Sequence, residues 1–174
     1  MLKIIITLLL IIGSECLYAQ PTYLIQNVKV FDGQKVIDNT SVLIGNGKIL
    51  QLSDSIKIES GYVTIEGHNK TLMPALANAH VHAFNPASFQ EAARAGVLNL
   101  FDLAGYGPFQ KMMNQEFKDS IDYANHHFTG VPATAPKGHG TQFKYPVSPI
   151  STVDEVKRFI ASKKSFRSNY IKII

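Results

Sequence analysis

The sequence predicts an α/β protein with a strand-rich N-terminal segment ahead of strands that alternate with helices. Two observations predict it. Residues 23 to 71 form short β-prone runs separated by turn residues, with no helical periodicity. After Pro74, apolar strand-like runs alternate with amphipathic stretches, the pattern of βα units on a parallel sheet.

The chain has 174 residues, 45% of them hydrophobic, enough for one domain or for one and part of a second. Its formal net charge is +4, and no block of basic residues gathers that charge. This speaks against a nucleic-acid partner and for a mildly basic surface.

The first residues read as an export signal. Lys3 gives a basic start, Ile4 to Ile12 is apolar except for Thr7, and Leu17-Tyr18-Ala19 offers a small residue before Gln20. The expectation is a leader over 1–19 with cleavage after Ala19, and an exported chain, periplasmic or extracellular. The apolar run is far short of the ~20 residues of a membrane span. Cys16, the only cysteine, sits where a lipoprotein cysteine could sit. Glu15 before it replaces the small residue that such a signal requires, so a lipid anchor is not expected.

Residues 20–72 are expected to form a small β module. Tyr23 to Phe31 is a strand ending at Asp32-Gly33. Ser41 to Ile44 and Lys48 to Leu52 flank Gly45-Asn46-Gly47, a hairpin signal because Asn and Gly accept positive φ. Tyr62 to Glu66 alternates to Gly67. About 50 residues of strand are too thin to stand alone without packing partners.

In residues 73–174 the expected order is a strand over Ala75 to His82, a helix over Ser88 to Ala95, and a strand over Val97 to Asp102. A helix over Phe109 to Tyr123 and a strand over His127 to Val131 follow. Next come a Pro- and Gly-rich loop from Pro132 to Pro149 and a helix opened by a capping box at Ser151 to Asp154. Val153, Val156, Phe159 and Ile160 form that helix's apolar face. Tyr170 to Ile174 is read as a fourth strand. A (β/α)8 barrel needs about 250 residues, so these residues suffice for four of its eight strands.

His80-Val81-His82 is the main chemical signal. Residues i and i+2 of a strand share a face, so both imidazoles project together, as two ligands of one metal would. Alone, the pattern is more often two packed or surface histidines. Lys172 alternates with Ile171 and Ile173. If the isoleucines face helices, the lysine faces the barrel interior, although a lysine snorkelling from a strand end gives the same pattern. His139 lies in the loop after the third strand, on the expected site face. Asp102 ends the second strand, where it could orient a ligand histidine or cap a turn. His126 and His127, read as opening the third strand, and His68, in a turn, are assigned no chemistry.

The stretch Thr71-Leu72-Met73-Pro74-Ala75-Leu76-Ala77-Asn78-Ala79-His80-Val81-His82 resembles the first barrel strand of the amidohydrolase superfamily. Asp32-Gly33 and Gly45 to Ile49 are similar to that superfamily's N-terminal β-sandwich segment. Ala92 to Val97 with Phe101-Asp102 is similar to its second βα unit. Gly138 to Phe143 and Asn169 to Ile173 look like the imidazolonepropionase- and prolidase-like branch, whose fourth strand carries a carbamylated lysine. Two positions depart from the pattern: Ala75 stands for a frequent Gly and Asn78 for a frequent Asp. Neither position is a metal ligand in the family.

The resemblance implies the first half of a (β/α)8 barrel behind a β-sandwich segment, in a hydrolase of amide C–N bonds that uses metal-activated water. His80 and His82 would bind a divalent ion, in the first place zinc, with one or two ions in a complete enzyme. Lys172, as a carbamate, would bridge them, and His139 would contact a small-molecule or peptide-like substrate. The catalytic aspartate and further histidines belong to later strands, which a second chain could supply. Two alternatives stand beside this reading: an inactive truncated or split product, and an exported β-rich binding module.

Overall fold

The computed structural model describes residues 20–143 and 147–174. The expected leader, with Ala19 and Cys16, lies outside them. The chain divides into two compact units between Pro74 and Ala75. Among the described residues no helix is long and apolar enough to cross a membrane.

The first unit is built on β1 (Thr22–Phe31), β2 (Val36–Gly45), β3 (Lys48–Ser53), β4 (Tyr62–Glu66) and β5 (Thr71–Leu72). They form one mixed sheet in the order β3-β2-β1-β4, with β5 also pairing with β1. β2 runs antiparallel to β1 and β3, whereas β4 and β5 run parallel to β1. The resemblance predicted a sandwich segment. The strands of this unit form a single sheet among the described residues. Leu24, Leu43 and Ile56 form one core cluster, and Val28, Val30 and Val42 another. The β2–β3 hairpin turns where the sequence placed it. Asn46 (φ 51°) and Gly47 (φ 69°) both take the left-handed region that a two-residue turn of this kind requires.

The second unit alternates strands and helices: β6 (Leu76–Val81), α1 (Pro86–Arg94), β7 (Val97–Asp102), α2 (Gly107–Phe117), β8 (Asn125–Phe128) and α3 (Val153–Phe166). The strands form a parallel sheet in chain order. Phe89 of α1, Leu100 of β7 and Met113 of α2 make the core between helices and sheet. Each is at least 96% buried, a burial that stabilises by roughly 2 kcal/mol per side chain.

Several boundaries differ from expectation. α1 begins earlier, because the Asn85 side chain accepts from Ser88 N and Pro86 fills the first turn. α2 ends at Phe117, short of Tyr123, whose ring instead stacks on Phe117 at 4.0 Å. The capping box of α3 is shifted by one residue. Thr152 is the cap and Glu155 its partner, since only Glu reaches back to bond Ser151 N and Thr152 N. Val153 and Val156 are exposed, because α3 is anchored through its C-terminal half, where Lys163 is buried and Lys111 Nζ donates to Ser165 O.

β8 is displaced towards the N-terminus, so His126 and His127 lie within it rather than at its start. The fourth strand, expected over Tyr170 to Ile174, is reduced to one parallel bridge between Ala133 and Ile173. Two features divert its ladder. Phe128 N donates to the Asn169 side chain at 3.0 Å instead of to a backbone carbonyl. Gly130 then turns the chain at φ 66°, a conformation that suits glycine. Pairing resumes only where Ala133 N donates to Lys172 O and Ile174 N to Ala133 O.

Candidate active site

His80 and His82 sit at the C-terminal end of β6. Between Asn78 and Val81 that strand carries one residue more than its partner span, Leu100 to Asp102 of β7. Such a bulge re-aims side chains and recurs beside functional sites. Val81 packs on the core under the helices. His80 and His82, alternating with it, take the opposite face, with ring centroids 5.2 Å apart. The Asn78 side chain accepts from His80 N at 3.2 Å. The residue that departs from the family pattern thus secures the backbone of the bulge.

The His82 ring is oriented by the loop after β7. Its Nδ1 lies 3.3 Å from Ala104 O. A carbonyl only accepts, so Nδ1 carries the proton and Nε2 keeps its lone pair free for a ligand role. The Phe84 ring stacks beside it, with centroids 6.4 Å apart.

A cleft of about 410 Å³ opens at these strand ends. His80 and His82 line it together with His139, Gly140 and Lys172. Four residues singled out in the sequence, from segments almost a hundred positions apart, therefore meet at one concavity. It lies where parallel βα folds place their chemistry, beyond the C-terminal strand ends. His139 opens a 3-10 turn, His139–Phe143, that shapes the far wall. Lys172 is half-buried and its main chain is fixed by Ala133. Ile171 and Ile173 are exposed rather than packed on helices, because the strand that would have seated them is reduced to a bridge.

Among the described residues no three His, Cys, Asp or Glu side chains gather as a metal cluster. The nitrogen donors lining the cleft are three imidazoles, of His80, His82 and His139, and one amine, of Lys172. An ammonium offers no lone pair, so Lys172 could join these imidazoles as a metal ligand only after losing its charge or as a carbamate.

Asp102 does not orient a ligand histidine. It is fully buried on the helix side of the sheet, and its Oδ2 lies 3.2 Å from His126 Nε2. His126 meets Phe89 edge-on at 4.7 Å. His127, on the opposite face, stacks on Phe101 at 4.9 Å. His68 pairs with Glu66 at 3.6 Å, in the first unit.

Sequence reasoning missed two buried polar groups. Gln110 is fully buried, and its Oε1 accepts from Gly130 N at 2.8 Å, which ties α2 to the loop after β8. Lys163 is only 6% exposed, and burial lowers its pKa to about 8. Its position was a legible signal: it follows Phe159 by four and Ile160 by three, on the apolar face of α3.

No family model matches the chain. A 5-methylthioadenosine/S-adenosylhomocysteine deaminase of Dictyoglomus turgidum is 39% identical over 59 residues, which are 34% of this chain and 14% of that protein. The solved structure of A. niger ochratoxinase matches with TM-score 0.69 at 20% identity, over 88% of this chain and 46% of its own. A Xaa-Pro dipeptidase with bound methionine matches with TM-score 0.71 at 16% identity, over 87% and 46%. The chain thus spans a small part of the curated deaminase and just under half of each solved structure. At these identities the structural likeness speaks for the fold. Over the part that it spans, the chain shares its fold with these two structures and with a solved amidohydrolase (TM-score 0.69, 20% identity).

Proposed function

We propose that this chain is the N-terminal part of an exported, metal-dependent amidohydrolase that cleaves an amide C–N bond in a small peptide-like or cyclic substrate. The observation that carries this reading is the convergence of His80, His82, His139 and Lys172 on one cleft at the C-terminal ends of parallel strands.

In this reading His80 and His82 hold a divalent ion, zinc in the first instance, through the nitrogens that face the cleft. His82 is prepared for this by the Ala104 carbonyl, which fixes its tautomer. Lys172, as a carbamate, would supply oxygen ligands to the metal site. The bound ion supplies Lewis acidity, activating water and polarising the scissile carbonyl. Phe84, stacked beside His82 with ring centroids 6.4 Å apart, adds apolar surface to the cleft. His139 stands on the far wall, placed to contact the substrate. The catalytic acid–base group is contributed by later strands of the barrel.

Zinc binding followed by isothermal titration tests the reading. The unaltered chain is expected to bind zinc, with His80→Ala and His82→Ala each weakening it at least tenfold. Equal affinity in all three proteins would refute the assignment.

A further inference from the structure

A second cleft, of about 430 Å³, lies beside α3, and Pro132 lines both it and the first. Lys163 lines it as well. The Lys163 ammonium donates to Val131 O and lies 4.6 Å from the centre of the Phe159 ring. An ammonium has three donors, and Val131 is the acceptor that the protein offers. The ion pairs among the described residues engage Lys29, His68, Lys118, His126 and Lys157, and leave Lys163 out. The carboxylate lining this cleft, Glu155, accepts from Ser151 N and Thr152 N through Oε2 at 2.8 and 2.9 Å and feels the charge of Arg158. Arg158, on the same wall, adds a second cation, while Pro149, Ile150 and Phe159 provide apolar surface.

Buried charges in proteins are ordinarily paired, because an unpaired one costs several kcal/mol of desolvation. Here a buried cation borders a cleft with another cation on its wall. The cleft's carboxylate, Glu155, serves the start of α3 and Arg158 and is not among the causes that shift Lys163. We propose that this cleft is a binding site for a small organic anion, whose carboxylate or phosphate group pairs with Lys163 and Arg158 and whose short apolar body lies on Phe159 and Pro149. The site is separate from the candidate active site and does not depend on a metal there.

The other charged groups around Lys163 are few. Residues 129–132 and 147–150 carry no ionisable side chain, α2 contributes Lys111, which is bonded to Ser165 O, and Tyr170 lies in a neighbouring recess. The burial that depresses the Lys163 pKa to about 8 is its only resolved cause, with no carboxylate opposing it. A bound anion would restore the proton, so binding near pH 8 should take one up.

The test is calorimetric titration of the chain with benzoate, and separately with inorganic phosphate. It is run at pH 8 in two buffers of different ionisation enthalpy. Saturable 1:1 binding of at least one probe, accompanied by proton uptake, is expected. Arg158→Ala should bind about tenfold more weakly. Lys163→Met, checked for fold by circular dichroism, should lose both the binding and the uptake. Preference between the probes identifies the head group. The proposal is overturned if neither probe saturates or if Lys163→Met still binds. Should Lys163→Met fail to fold, undiminished binding in Arg158→Ala overturns it equally.

Discussion

Replacing His126 by leucine should destabilise the second unit more than almost any other single change. The His126 side chain is 4% exposed and Asp102 is wholly buried. The 3.2 Å contact between His126 Nε2 and Asp102 Oδ2 is the carboxylate's link to a side-chain donor, since Asp102 Oδ1 and His126 Nδ1 have no protein partner. Removing the imidazole leaves a carboxylate in the apolar space among Phe89, Phe128 and Leu100. Breaking one side of a buried pair costs about 3–5 kcal/mol. Urea unfolding followed by far-UV circular dichroism, with a slope of about 1–3 kcal/mol per molar, should show the midpoint falling by at least ~1 M. The double change Asp102→Leu with His126→Leu removes both polar groups and should recover most of the loss, giving a coupling energy of about 3 kcal/mol. A His126→Leu protein within ~0.5 kcal/mol of the original would refute the argument. So would a double variant as unstable as the sum of the singles.

Three further outcomes are expected. Arg167 ends α3 in the left-handed region at φ 58°, where a side chain is strained, so Arg167→Gly should stabilise by about 1 kcal/mol, read as a higher melting temperature. Lys163 has a pKa of about 8 when folded and 10.5 when free. Between those values the unfolded chain binds the proton that the folded chain has released. Stability should therefore rise from pH 8 to 10.5, and Lys163→Met, followed by urea unfolding, should abolish the rise. Secretion from a bacterial host should yield a protein whose N-terminal sequence begins at Gln20, whereas retained Met1 or a lipid on Cys16 would contradict the export reading.

Much of the fold was legible because it rests on local chemistry. The Asn46-Gly47 turn, the alternation of Tyr62 to Glu66 and the Leu-rich run of β7 each dictate their own element. What was not legible depends on partners distant in sequence. The last strand was read from the β-prone run of Tyr170 to Ile174, yet the Asn169 side chain and the turn at Gly130 decide how it pairs. The site was legible to the extent that His-x-His on one strand announces itself, and the grouping with His139 and Lys172 in one cleft follows the sequence reading. The bulge that aims His80 and His82 was hidden, because it appears only in the register against β7. The place of Asp102 was legible in part: it shares the face of Leu100, the face that packs under the helices, although its partner His126 appears only in the fold.

The central claim is that His80, His82 and Lys172 share a metal in one cleft. Anomalous scattering at the zinc absorption edge, from crystals of the chain grown with zinc and bicarbonate, tests it most directly. The account predicts a peak in the cleft within ~2.1 Å of a ring nitrogen of both His80 and His82, with added density on Lys172 Nζ directed towards it. A zinc peak elsewhere on the surface, with the cleft empty and Lys172 unmodified, would contradict it.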